Sequence, residues 1–155
     1  MLAAGSYLIV WSDHDAWPIG QETFTETFFG DDISTLQHKQ YALLLLAVGT
    51  IELFRRSGRL LSRYWSFPLP AFAVLGGVAL FLHIHSDPPF AHEIARHHVT
   101  MGVTAVMAGA CLTLSEYSLP TPTSLGLRKE RRGRWRLAWG TLVFGIGIQL
   151  LLYFE

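Results

Sequence analysis

The stretch LQHKQYALLLLAVGTIELF, Leu36 to Phe54, decides how the rest of the chain is read. Its nineteen residues would make a helix of about 28 Å. That is close to the roughly 30 Å of hydrocarbon in a bilayer. Its polar residues gather at the two ends, and RRSGR follows immediately. A water-soluble helix would spread its polar residues along one face instead.

Three further blocks have the same character. They are FPLPAFAVLGGVALFLHIH (about 67–85), EIARHHVTMGVTAVMAGACLTL (about 93–114) and WRLAWGTLVFGIGIQLLLYF (about 135–154). Half of the 155 residues are apolar, 15% are charged, and the mean hydropathy is +0.31. The runs lack the alternation of a barrel strand, and a span must satisfy its own backbone, so helices are expected. Pro68 and Pro70 fall in a first turn, where a missing N–H does least harm. Glycines at 49, 76, 77, 102, 109, 140, 145 and 147 suit close helix contact in lipid. The expected fold is all-α: an integral membrane four-helix bundle over 36–155, preceded by an outer-face N-terminal segment over 1–35.

Basic residues set the expected orientation. Arg55, Arg56, Arg59 and Arg63 follow the first block, and Arg128, Lys129, Arg131, Arg132, Arg134 and Arg136 follow the third; only Lys39 and Arg96 lie elsewhere. Short Lys/Arg-rich connections stay cytoplasmic. Residues 12–35 and the SDPPFA turn, with their seven acids, then fall outside, as do both termini. MLAAGSYLIVW, about 16 Å as a helix, is too short to cross. It is either the outer end of a truncated span or an interfacial anchor, and TFTETFFGDD is an amphipathic piece on the outer surface.

Several chemistries are excluded. The net charge is zero, so no global field calls for nucleic acid, and RKERRGRWR is explained by topology and anionic lipid. There is no C-x-x-C, Gly-rich phosphate loop or G-x-S-x-G, and the lone Cys111 excludes an internal disulfide. The expectation is a binding protein rather than an enzyme.

All seven histidines fall on the expected outer side. His14 is in the N-terminal segment, His38 in span one, His83 and His85 at the end of span two, His92 in the turn, and His97 and His98 at the start of span three. Imidazole is the commonest ligand for borderline transition metals. His83 and His85 diverge by about 200° on a continuing helix, so both reach one site only if the helix end unwinds. His97 and Met101 share a face, which makes Met101 a candidate soft ligand for Cu(I). Adjacent His97 and His98 point apart, so one of the two joins a given centre. The candidate metal set is therefore His38, His83, His85, His92, His97, His98 and Met101. Glu52, fourteen positions after His38 on the same face, is expected to pair with Arg55 or Arg56; the alternative is a lower station on an ion path.

LQHKQYALLLLAVGTIELFRRSGRL, LHIHS, HEIARHHVTMGVTAVMAGA and the terminal LLLYFE resemble the membrane part of the bacterial copper resistance protein D family, over about residues 12–155. The match is to the C-terminal portion of longer family members, which carry further spans upstream and often work with a periplasmic copper carrier. The resemblance implies a multi-pass inner-membrane protein handling copper at the periplasmic face, in uptake, tolerance or delivery. It places His38 in the QHK motif, His83 and His85 in the His-x-His ending span two, and His97 or His98 in the histidine opening span three.

Two alternatives use the same residues differently. In a b-type cytochrome for quinol-linked electron transfer, His38 opposite His97 or His98 would ligate haem b. Gly76, Gly77 and Gly102 would give that haem room. In an accessory subunit of a larger membrane complex, the histidines would be structural.

Overall fold

The helix at the centre of this reading begins earlier than the apolar run does. Asp32 accepts hydrogen bonds from the Ser34 amide (3.0 Å) and the Thr35 hydroxyl (2.7 Å). It thereby caps the exposed N–H groups of a helix over Ile33–Arg56. The other end closes at Gly58, whose φ of 75° favours glycine. The Arg59 amide returns to the Phe54 carbonyl at 2.9 Å and the Gly58 amide to that of Arg55 at 3.2 Å, a Schellman closure.

The computed structural model describes residues 1–82, 91–117 and 125–151. The elements are α1 (Leu2–Trp11), α2 (Phe24–Phe29), α3 (Ile33–Arg56), a 3₁₀ turn (Arg63–Ser66), α4 (Pro68–Leu80), α5 (Ala91–Tyr117) and α6 (Leu125–Leu151). Among the described residues there is no strand, so the all-α expectation holds.

The chain forms two compact units, Met1–Trp65 and Ser66–Glu155. In the first, α1 runs antiparallel along α3. A side chain at Gly5 would meet Leu46 Cγ at 2.8 Å, and one at Gly49 would meet Leu2 Cδ2 at 3.0 Å. Small residues here let two backbones approach. Residues 12–23 then return to α2, whose Thr23–Glu26 capping box fixes its start. The amide of Trp17 donates to Thr27 Oγ1 at 2.9 Å, and Thr27 is fully buried. α3 belongs to the same compact unit as α1 and α2, because its own glycine and polar residues receive α1.

In the second unit α4 and α5 are antiparallel and touch through glycine. A side chain at Gly77 would lie 2.7 Å from the Gly102 carbonyl oxygen, and one at Gly102 the same distance from that of Gly77. Gly109 repeats the device against Val74 and the Pro70 carbonyl. Ile94, His98, Met101, Ala108, Leu112 and Ser115 make the buried stripe of α5 at helical spacing. Antiparallel α6 is fastened to the far end of α5 by Arg136 and Arg132, which reach Glu116 at 2.8 and 3.3 Å.

The expected spans need correction in detail. Among the described residues one helix segment, Ile94–Tyr117, is long and apolar enough to cross a membrane by length and composition. The helix expected over 67–85 is described only to Leu80, where Phe81 and Leu82 turn back onto Val78 and Ala79 carbonyls. Its thirteen residues reach about 20 Å. The polar run Gln37–Gln40 dilutes α3, and the arginine-rich first half of α6 dilutes that helix.

Candidate metal-ligating histidines

The first unit builds a polar cluster inside the α1–α3 hairpin. Where α1 ends, Ile9 leaves its carbonyl without a helical partner, as the last turn of any helix does. Lys39, 0% exposed, fills that need: its Nζ donates to the Ile9 carbonyl and to Ser12 Oγ, each at 3.1 Å. Its charge meets Asp13 Oδ2 at 3.3 Å, and Ser12 Oγ donates to the same oxygen at 2.6 Å. The other carboxylate oxygen, Oδ1, lies 3.0 Å from His38 Nδ1. Burial works against the charge on Asp13. The hydrogen bonds from His38 and Ser12 and the positive charges of His38 and Lys39 outweigh it, lowering its carboxyl from 3.8 to about 2.

Asp13 is therefore ionised at neutral pH and acts only as an acceptor. The proton between it and His38 belongs to the imidazole, on Nδ1. In neutral His38 the lone pair is then on Nε2. A carboxylate holding one ring nitrogen while the other is presented as a donor is the usual support of a metal-bound histidine.

In the second unit the residue turned into the helix packing is His98, 7% exposed, together with Met101 at 6%. They are three apart and lie on one stripe. His97 is half-buried, while His92 and His14 are exposed. His83 and His85 lie outside the described residues. Among the described residues no three His, Cys, Asp or Glu side chains converge as a ready metal cage. The room expected for haem at Gly77 and Gly102 is taken by the α4–α5 backbone contact, which would not admit even a methyl group without displacement.

Glu52 is clasped by both following arginines. Arg55 donates through Nε and Nη2 at 2.7 and 2.8 Å, and Arg56 through Nε at 2.7 Å. This is the ion pair anticipated from the sequence, and it neutralises the carboxylate at the end of α3 remote from His38. Cys111 is a buried free thiol.

Asp13, Ser12 and Lys39 were not singled out by the motif pattern. Lys39 carried the available signal: it is a basic residue apart from both arginine-rich connections, on the flank of an apolar run. No protein-family model matches the chain, and no curated protein or solved structure matches it.

Proposed function

We propose that this chain is a copper-binding protein of the bacterial inner membrane, working without catalysis, with His38 as a copper ligand at the periplasmic face. The observation that supports it most is the Asp13–His38 hydrogen bond at 3.0 Å, a carboxylate held to one ring nitrogen as metal-binding histidines commonly are. His98 with Met101 supplies a nitrogen and a soft sulfur on one face of α5, donors that suit Cu(I). His83, His85, His97 and His92 are the remaining candidate donors. The role is uptake, tolerance or delivery, with a periplasmic copper carrier or a larger membrane complex as partner.

The membrane assignment draws on the distribution of polarity. Outward-facing helix positions include Leu137 at 73% and Phe144 at 70% exposure, whereas Lys39, Glu52, His98 and Ser115 are buried. Water would favour the reverse, and a bilayer favours this pattern. In this reading α3, α4, α5 and α6 all lie in the membrane. The arginines after α3 and those in the first half of α6 are cytoplasmic and the C-terminus is periplasmic, whereas the periplasmic N-terminus expected from the sequence does not fit α1, which starts beside Gly49, within the depth of α3. α1 runs along α3 from Gly49 to Lys39, which puts its C-terminal end toward the periplasmic side.

Titration of the purified, metal-free protein with Cu(I) against a competing chelator tests the proposal. His38→Ala is expected to weaken binding at least tenfold. Wild-type affinity in His38→Ala contradicts the assignment. A haem Soret band in the protein as isolated contradicts it too.

A further inference from the structure

After α3 the chain turns apolar side chains outward in the middle of its basic connection. Leu61 is 87% exposed and Tyr64 88%, and Trp65 beside them is exposed too. They stand in RRSGRLLSRYW, Arg55 to Trp65, which carries four arginines and no acid. A cytoplasmic location accounts for the arginines. It gives no reason for a leucine and a tyrosine to point outward among them.

Backbone hydrogen bonding fixes how they are presented. The Gly58 turn returns the Leu60 amide, like that of Arg59, to the Phe54 carbonyl, at 3.3 Å. It also sets the Arg59 guanidinium over the Phe54 ring, 5.6 Å from its centroid. Ser62 starts the next turn: its carbonyl accepts from the Trp65 amide at 3.1 Å, and its hydroxyl from the Tyr64 amide at 3.4 Å. Leu53 and Phe54, on the last turn of α3, are exposed as well and continue the apolar surface. The one carboxylate nearby, Glu52, is shared by Arg55 and Arg56, so positive charge stays in excess.

We propose that residues 56–65 are a docking surface for anionic phospholipid of the cytoplasmic leaflet. Leu61, Tyr64 and Trp65 enter the headgroup boundary, and the exposed Arg56 and Arg59 meet lipid phosphate. An acidic protein would satisfy the arginines equally, but position favours lipid. The segment directly follows a helix that ends, in the membrane reading, at the inner boundary, so the bilayer surface is already within reach. The inference rests on that placement of α3 and takes nothing from the copper reading.

The test uses the full chain in vesicles of phosphatidylcholine, with and without phosphatidylglycerol. Nitroxide labels go on single cysteines replacing Leu61, Tyr64 or the exposed mid-helix Leu44, in a Cys111→Ala background. Collisions with oxygen and with a water-soluble nickel chelate report depth. Labels at 61 and 64 are expected to favour oxygen in the anionic vesicles and to move toward water when phosphatidylglycerol is omitted. In Arg59→Gln, the preference of the protein for phosphatidylglycerol over phosphatidylcholine should fall about fivefold.

Nickel-accessible labels at 61 and 64 in anionic vesicles, with position 44 shielded, overturn the inference, turn the surface over to an acidic protein and leave the membrane placement of α3 standing. Equal depth in the two lipid mixtures also overturns it, because the arginines then select nothing. A nickel-accessible label at 44 overturns the membrane placement of α3, and the inference with it.

Discussion

A lysine with no exposed surface is costly to bury unless its charge is met, and at Lys39 it is met by Asp13, Ser12 and the end of α1. Removing one member of such a set leaves the others stranded. Lys39→Ala is therefore expected to lower stability by about 3 kcal/mol, by analogy with broken buried ion pairs, read as a fall in melting temperature in detergent. The same cluster gives a sign to the acid response. The Asp13 carboxyl is lower in the folded chain, about 2 against 3.8, so it favours folding above that higher value. Its contribution fades as pH falls from about 4 to about 2, and Asp13→Asn should flatten that part of an acid melting series. A lysine among leucines is visible in the sequence as an anomaly. The identity of its partner was not, because Asp13 is twenty-six positions away and is brought to it by the antiparallel return of α1.

At the scale of elements, glycine decides which helices meet. Gly77 and Gly102 put α4 and α5 backbones in contact, and a single methyl at either would lie 2.7 Å from a carbonyl oxygen. Gly102→Ala should therefore destabilise the second unit by about 1–3 kcal/mol through overpacking. Gly140→Ala serves as the comparison, since nothing lies within 4 Å of a side chain there, and it should be nearly silent. Parallel denaturation of the two variants in detergent would check the contrast. The helical character of the chain was legible from the apolar blocks and their proline and arginine punctuation. The boundaries were less so. α3 begins at an aspartate cap outside its apolar run, and described α4 ends at Leu80 although the apolar block continues, since hydropathy does not record where backbone hydrogen bonding stops. α1 was recognised as too short to cross, but its place along α3 depends on Gly5 and Gly49 interlocking with side chains from the other helix.

At the scale of the whole molecule, the proposed topology assigns the two arginine-rich connections to one side and residues 12–35 to the other. Single cysteines placed at Asp31 and Gly58 in a Cys111→Ala background separate these sides. A membrane-impermeant thiol reagent applied to intact cells should label position 31 and spare position 58 until the membrane is opened. The role proposed for His38 is narrower, to take copper through an imidazole held by Asp13. The most direct measurement is copper-edge X-ray absorption on the purified, copper-loaded protein, wild type beside His38→Ala. The account predicts imidazole scattering from bound copper in wild type, weakened or lost with its copper in the variant. Identical copper content and imidazole scattering in the two proteins would contradict it.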